Sequence, residues 1–206
     1  MTDDLMIYDE KIKGAVFDGT FPQYIICSEL SDIDISQACA GLGSMIVSDS
    51  KISGITLKDL QIDGMMILSS ELEDVVFDNA DLSEAIFDTS VFKGCTFANC
   101  EMPHDMINSM YSGCRFLHCH YFEPAVQNTF KDCVFTKDGL LLNAEKNRFE
   151  RCGFNGMPLP HYSMSNGPDK VMARNSFIGC RAKGDMWADN TLDADLLYDA
   201  VTEQSR

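Results

Sequence analysis

Cysteine and histidine are the residues of this chain whose types and spacing first suggest chemistry. Cys114, His118, Cys119 and His120 lie close together, and these residue types are the common ligands of zinc. The wider spacing argues against a metal site, because Cys114 belongs to a column of cysteines repeated every 19 residues whose thiols all point the same way. His118 and His120 flank Cys119 and are predicted to face outward; the alternative is that they share a corner with His104 and bind metal weakly. We therefore predict buried, inert thiols, no metal and no cofactor.

Carboxylates are the second candidates for chemistry, because polysaccharide lyases and hydrolases work with paired acids. The acids here are spread along the chain, and no arginine, lysine or histidine cluster accompanies any pair of them. No nucleophile motif, phosphate-binding loop or dinucleotide fingerprint is present. The sequence predicts a protein that is not an enzyme, and a carbohydrate-active enzyme is the least favoured alternative.

The overall composition limits the class of partner. The 206 residues include 16 Lys and Arg against 32 Asp and Glu, a net charge of −16 that argues against direct binding to nucleic acid. No run of about 18 apolar residues could span a bilayer, and the acidic start of the chain lacks the features of a secretory signal. Nine cysteines without dense short spacings favour a reducing compartment. We expect a cytoplasmic protein without membrane contact, with export by a specialised route left open.

The acids are distributed unevenly along the chain. Residues 1–102 hold 19 acids and 5 bases, whereas residues 103–206 hold 13 acids and 11 bases. From Asp59 to Asp88 there are nine acids and no Lys or Arg. One interpretation is solubility, because like charges on exposed edges oppose aggregation. The other is a binding surface that attracts a basic partner, for which the candidates are Asp74, Asp78, Asp81, Glu84 and Asp88.

The elements that position these residues follow from an internal repeat. Apolar residues recur about every 20 residues, and two columns lie five residues apart in one register. The first column is Ile52, Leu72, Phe92, Tyr111, Phe130, Phe149 and Phe177; the second is Leu57, Phe77, Phe97, Phe116, Phe135, Phe154 and Ala182. Midway between them runs a column of small residues, mainly cysteine, and two residues before the first column runs a column of serines and then asparagines.

A finer period of five residues gives the shape of each repeat. From Leu57 to Met102 every fifth residue is large and apolar, the residue two before it is mostly small, and the positions between carry most of the charge. A period of five fits neither a helix nor a plain strand. It fits a four-sided coil with five residues on each side.

These motifs resemble the pentapeptide-repeat family. Ala80-Asp81-Leu82-Ser83-Glu84, Ala85-Ile86-Phe87-Asp88-Thr89 and Cys95-Thr96-Phe97-Ala98-Asn99 are close matches, and a looser version continues to Ala182. The resemblance implies an all-β fold, a right-handed quadrilateral parallel β-helix of about 20-residue coils. About nine coils at the strand spacing of ~4.8 Å would form a rod of roughly 40 Å. Two earlier coils are expected at Ile12/Ala15/Phe17 and Ile33/Ser36/Ala38.

Two segments depart from the repeat. We predict a β-helix over residues 1–189 with a Pro-rich loop near 155–170, because prolines cannot sit in a central strand. Its candidate binding residues are Pro158, Pro160, His161 and Tyr162. Residues 190–206 are predicted to form a C-terminal helix or tail, which either caps the last coil or forms a homodimer through that end.

Three hypotheses for the function remain, and the resemblance implies the first two. Members of the family include effectors and recruiting modules, so the first hypothesis is a non-catalytic rod that presents its acidic surface and side loop to a protein partner. Other members mimic duplex DNA and bind DNA gyrase or related type II topoisomerases, protecting them from inhibitors. The third hypothesis is the carbohydrate-active β-helix.

Overall fold

The chain folds into short strands of two or three residues. The computed structural model describes residues 6–17, 21–35, 44–59, 64–120, 125–136, 146–155 and 176–183, and these ranges contain 23 strands and no helix. The strands are β1 Met6–Tyr8, β2 Lys11–Lys13, β3 Tyr24–Ile26, β4 Glu29–Ser31, β5 Ile46–Ser48, β6 Lys51–Ser53, β7 Thr56–Lys58, β8 Met66–Leu68, β9 Glu71–Glu73, β10 Val76–Asp78, β11 Ile86–Asp88, β12 Val91–Lys93, β13 Thr96–Ala98, β14 Asp105–Ile107, β15 Met110–Ser112, β16 Arg115–Leu117, β17 Ala125–Val126, β18 Thr129–Lys131, β19 Val134–Thr136, β20 Arg148–Glu150, β21 Gly153–Asn155, β22 Ser176–Ile178 and β23 Arg181–Lys183.

The strands stack into three parallel sheets. Sheet 1 has seven strands in the order β1-β3-β5-β8-β11-β14-β17, and sheet 2 has nine in the order β2-β4-β6-β9-β12-β15-β18-β20-β22. Sheet 3 has seven strands in the order β7-β10-β13-β16-β19-β21-β23. Successive strands of one coil therefore belong to different sheets, and each strand pairs with the equivalent strand one coil away. The fold is a parallel β-helix.

Each coil has four sides of about five residues. In one coil the centres of the sides are Ile67, Leu72, Phe77 and Leu82, and all four side chains are buried. The fourth side carries parallel bridges in place of full strands, and one series of bridges joins Asp81 to Glu101 and Glu101 to His120. Between sides the chain turns through a residue with positive φ, and these positions favour Asp, Asn and Gly because such residues tolerate the left-handed region.

The interior changes from aliphatic to aromatic along the rod. The first coils are filled by residues such as Ile25, Val47 and Ile67. From Phe77 onward, two columns of rings stack at the coil spacing; in one of them Phe116 lies parallel to Phe97 and Phe135, with ring centroids 5.1 and 4.7 Å away. Stacked and edge-to-face contacts add to the apolar burial that holds the coils together.

A buried polar ladder runs along the corner between sheets 1 and 2. At each level a backbone N–H donates to the side-chain oxygen of the next level, as from Ser50 to Ser70 and from Ser109 to Asn128. The serine hydroxyls and asparagine amides in turn donate to backbone carbonyls. The turn therefore keeps its buried polar groups paired. The ladder consists of Ser28, Ser50, Ser70, Ser90, Ser109, Asn128 and Asn147.

The predicted apolar columns are confirmed from Ile52 onward. Ile52 pairs with Leu72, and the series continues through sheet 2 to Phe177; the second column runs through sheet 3 from Leu57 to Ala182. The earlier coil predicted at Ile33 is wrong in register, because Leu30 is the residue that pairs with both Ile12 and Ile52. Coils of 18 and then 22 residues hid this pairing from a search for a constant period.

Two predicted segments lie outside the described residues. The Pro-rich loop near 155–170 falls almost wholly within 156–175, and the C-terminal helix or tail of residues 190–206 follows the last described residue, 183. Strands extend from Met6 to Lys183, and the boundary at residue 189 stays a prediction.

Candidate functional site

The cysteines form interior columns. Cys95, Cys114, Cys133, Cys152 and Cys180 are buried, and each Sγ lies 3.3 to 3.4 Å from a carbonyl oxygen of the preceding coil. Contact with the Cys114 thiol raises the pKa of Cys95, and burial raises it further. These buried thiols fill the small interior position, as predicted.

The histidines face solvent. His118 and His120 are exposed on either side of buried Cys119, and His104 lies 3.7 Å from the carboxylate of Asp105. Within the described residues, no three His, Cys, Asp or Glu side chains are grouped so that they could hold a metal ion.

The five predicted acidic residues follow one coil around the rod and do not lie on a single face. Asp74 occupies the corner between sheets 2 and 3, and Asp78 is the last residue of strand β10 in sheet 3. Asp81 begins the fourth side, Glu84 lies at its end, and Asp88 lies in sheet 1. The sequence analysis grouped these residues as one binding surface, whereas the structure separates them into two groups.

Two of the five have a structural reason to be acidic. Asp74 has a φ of 54°, a conformation that favours Asp, and its carboxylate packs over Gly94, where a Cβ would come within 2.5 Å of Oδ1. Asp78 pairs with Lys58 across one coil, with 3.1 Å between Nζ and Oδ2. Asp74 therefore has a role in the turn, and the charge of Asp78 is offset by Lys58.

The other three follow one another along the fourth side and across sheet 1, together with two acids of the next coil that the sequence analysis did not single out. Glu101 is the bridge partner of Asp81 one coil on, and Asp105 pairs with Ile86 in the neighbouring strand. None of the five has a positive φ, and within the described residues no Lys or Arg lies within 4 Å of their carboxylates. We call this group the acidic corner: Asp81, Glu84, Asp88, Glu101 and Asp105.

The local contacts of the acidic corner are made with neutral groups and one histidine. Asp81 Oδ1 accepts from the backbone N–H and the hydroxyl of Ser83, at 3.0 and 2.7 Å. Asp88 Oδ1 accepts from the Thr89 hydroxyl at 2.8 Å. These hydrogen bonds orient the carboxylates and leave their charge uncompensated.

Sheet 2 shows the opposite arrangement of charge. Glu71 Oε1 lies 2.8 Å from Lys93 Nζ and 3.2 Å from Lys51 Nζ, and Arg151 pairs with Asp132. Hydrogen bonding to Lys93, and then to Lys51, lowers the pKa of Glu71. Acids on sheet 2 are thus neutralised within the rod, whereas those of the acidic corner are not.

The neighbours of the acidic corner could have been found from the repeat. Glu101 follows Asp81 by 20 residues and Asp105 follows Ile86 by 19, which places each on the same side of the next coil. The predicted loop residues Pro158, Pro160, His161 and Tyr162 lie outside the described residues.

Comparison with solved structures returns pentapeptide-repeat proteins. A trypsin-treated form of QnrB1, a plasmid-mediated fluoroquinolone resistance protein, is 14% identical, with 94% of this chain and 96% of that chain covered and a TM-score of 0.39. A second trypsin-treated form is 15% identical, with 95% and 94% covered and a TM-score of 0.37. HetL, a pentapeptide repeat protein involved in heterocyst differentiation regulation in the cyanobacterium Nostoc, is 10% identical, with 88% and 84% covered and a TM-score of 0.30.

The chain, a parallel β-helix in its described residues, is similar to these pentapeptide-repeat proteins. These likenesses concern the fold alone. No protein-family model matches the chain, and no curated protein matches it. The described residues include no helix with the length and apolar character needed to cross a membrane.

Proposed function

We propose that this chain is a non-catalytic protein-binding β-helix whose binding surface is centred on the acidic corner. One observation carries the proposal: the backbone pairs Asp81 with Glu101 in adjacent coils, and no cation of the described residues neutralises either. Like charges directly opposite each other destabilise neighbouring strands. A basic partner surface would offset this repulsion.

The charge of the whole chain supports the same function. A net charge of −16, concentrated in residues 1–102, produces a negative field that draws a basic protein toward the rod. Such steering raises the association rate at low salt and weakens as ions screen the charges. We therefore expect the association rate with the partner to fall steeply between low and high ionic strength.

Two variants of equal charge test this proposal. The acidic-corner variant carries Asp81→Asn, Glu84→Gln and Asp88→Asn. The control variant carries Asp59→Asn, Asp74→Asn and Asp78→Asn, and Asn tolerates the positive φ of Asp59 and Asp74. Each variant loses three acids, which changes the net charge from −16 to −13.

The measurement is a tagged pull-down with mass spectrometry, followed by affinity measurement on the purified partner. We expect a basic protein retained by the native chain and by the control variant but not by the acidic-corner variant. Retention of the same partner by all three proteins would overturn the proposal, because the acidic corner would then serve solubility alone.

The second candidate is a DNA mimic that binds DNA gyrase or another type II topoisomerase. The arrangement of the five predicted acids favours the DNA mimic, because a mimic of duplex DNA must present charge around its perimeter. These acids lie on successive sides of one coil: Asp74, Asp78, Asp81, Glu84 and Asp88. Here both variants should weaken binding to a similar extent, and the native chain should protect the topoisomerase from inhibitors in a supercoiling assay. A topoisomerase that is not retained at low salt would exclude this candidate.

The remaining predictions can be tested in parallel. Alanine at Pro158, Pro160, His161 and Tyr162 should weaken partner binding if the loop takes part, and sedimentation equilibrium measures whether the chain forms a homodimer. Turnover of a polyuronide, lost on changing a single Asp, would establish the carbohydrate-active alternative.

A further inference from the structure

The outer face of sheet 1 differs in chemistry from the other sheets. Of the 13 outward positions on β1, β3, β5, β8, β11, β14 and β17, ten are apolar. On sheet 2 only three of 18 outward positions are apolar, and on strands β7 to β21 of sheet 3 four of 12 are. Because outward positions of a solvated strand are normally polar, an apolar stripe on one side of the rod calls for an explanation.

The side chains of the stripe are accessible. Met6 and Tyr8 are each 59% exposed, and further along the sheet Ile26, Leu68 and Ile86 are partly exposed. They lie in two rows, one on each side of the buried centre of every strand. We call this surface the apolar face.

Three acids lie at the corners of the apolar face, two on one side and one on the other. Asp9 and Asp49 lie at its corner with sheet 2, and Glu84 lies at its corner with the fourth side. Asp88 and Asp105 lie within it at neighbouring levels. Along the seven levels of sheet 1, the described residues of the face and its two corners include no Lys or Arg.

We infer that the apolar face is a docking site for an amphipathic helix of a basic partner protein, a helix with an apolar stripe flanked by Lys and Arg. The inference rests on the proposed function and names the structure that the partner presents. The partner's bases would pair with the acids at the corners of the face and within it, and its apolar stripe would cover residues such as Ile26 and Leu68.

The dimensions of the face fit one helix. Seven levels at ~4.8 Å spacing give a stripe about 29 Å long, and the two rows are about 7 Å apart. A helix rises 1.5 Å per residue, so about 19 residues would cover this length, and its pitch of about 5.4 Å is close to the spacing of the coils. Helices that lay an apolar face into an apolar surface are a common mode of recognition.

Charge disfavours a second copy of the chain and the segment 184–206 as occupants. A second copy would bring the same acidic borders against each other, at a net charge of −16 for each copy. Residues 184–206 contain six acids and one Arg, so this segment would meet the bordering acids with charge of the same sign. A basic partner helix has the complementary sign on both edges.

The test uses designed 20-residue helical peptides and the full chain. One peptide carries a leucine stripe with flanking lysines, a second has the same composition with the leucines scrambled, and a third replaces the lysines with glutamates. The apolar-face variant carries Ile26→Thr, Leu68→Thr and Ile86→Thr, and the matched control carries Val76→Thr, Leu117→Thr and Val134→Thr on sheet 3. Thr keeps the strand propensity at each position.

Fluorescence anisotropy measures the affinity of each pair. We expect the native chain to bind the lysine-flanked leucine peptide at least about tenfold more tightly than either other peptide. The apolar-face variant should lose about tenfold in affinity, and the sheet 3 variant should bind like the native chain. Equal affinities of the two variants would overturn the inference.

Further outcomes separate this inference from the proposed function. If the acidic-corner variant loses the peptide while the apolar-face variant keeps it, the inference fails and the proposed function stands. If only the apolar-face variant loses it, the apolar face holds the peptide without the charges of Glu84 and Asp88, and the acidic corner is not the centre of binding. A native dimer that the apolar-face variant dissociates, or binding of the native chain to neutral phosphatidylcholine vesicles, would overturn the helix as the occupant.

Discussion

The backbone N–H of Asn128 donates to Oδ1 of Asn147 one coil further along, at 2.8 Å, and both residues are buried. The Asn128 side chain makes the equivalent contacts with the preceding coil. Its Oδ1 accepts from the backbone N–H of Ser109, and its Nδ2 donates to the Met106 carbonyl at 2.7 Å. The same corner is built with serine in the preceding coils. The ladder shows how one side chain can pair the polar groups of two consecutive turns.

Replacement of Asn128 tests the ladder. Asn128→Leu would leave the Ser109 N–H and the Met106 carbonyl buried without partners, so we expect a loss of about 2–4 kcal/mol in the free energy of unfolding. Asn128→Ser restores the chemistry of the preceding levels and should cost about 1 kcal/mol. Urea denaturation followed by circular dichroism measures the free energy of unfolding of both variants. Equal losses would mean that stability depends on the size of the side chain at this position and not on its hydrogen bonds.

The aromatic column makes a second prediction. Phe116→Asp places an unpaired charge between two parallel rings, and we expect the chain not to fold, since such a charge cannot be satisfied there. Phe116→Leu keeps the position apolar and should cost about 1–2 kcal/mol. Leu117→Asp lies one residue along and faces outward, so it should retain the fold. A folded Phe116→Asp protein with unchanged melting would contradict the inward register.

The sequence could predict the interior better than the surface, for a physical reason. Inward positions must be apolar or small in every coil, so Phe97, Phe116 and Phe135 repeat at a fixed interval and reveal their own pairing. The assignment failed at Ile33 because the neighbouring coils have unequal lengths, and Leu30 took its place in sheet 2.

The candidate site depends on neighbours across coils, which a pattern along the chain does not display. Asp74 and Asp81 are seven residues apart in the sequence but lie on different sides of the coil, whereas Asp81 and Glu101 are adjacent in space. Ile26 and Leu68 belong to an outward row that is interrupted by Ser48 and Asp88, so the period of this row is less regular than that of the interior columns. Only the known register of sheet 1 brings them onto one apolar face.

Tyr111 gives a third prediction. Its ring stacks between Phe92 and Phe130, with centroids 4.7 and 4.8 Å away, and its buried hydroxyl has no hydrogen-bond partner. Tyr111→Phe should therefore stabilise the rod by about 1 kcal/mol, because the cost of burying an unpaired hydroxyl disappears. Thermal and urea unfolding measure the change; a clear destabilisation would mean that the hydroxyl is paired in solution.

The ion pairs of sheet 2 predict a dependence of stability on pH. Hydrogen bonds to Lys93 and Lys51 hold the pKa of Glu71 below its ordinary value of 4.5. A lowered pKa in the folded state adds stability that is fully present above the unfolded value and is lost as pH falls through the folded value. Glu71→Gln should therefore lose less stability than the native chain between pH 6 and pH 3, and the difference should shrink at 1 M salt. Identical dependence of stability on pH in the native chain and in Glu71→Gln at low salt would contradict this prediction.

Thiol labelling gives the last prediction and tests the burial of the cysteine columns. Cys27 is exposed at a corner, whereas Cys95, Cys114 and Cys133 are buried and can react only when the coils open. We expect iodoacetamide to modify Cys27 at least about a thousandfold faster than any of these three in the native protein, because opening the interior costs several kcal/mol.

Urea should abolish this difference in labelling rate. Peptide mass spectrometry assigns each modified site, and Cys27→Ser provides the control for background labelling. Rapid modification of Cys114 without denaturant would mean that the column is open in solution, and the closed stack of coils would have to be revised.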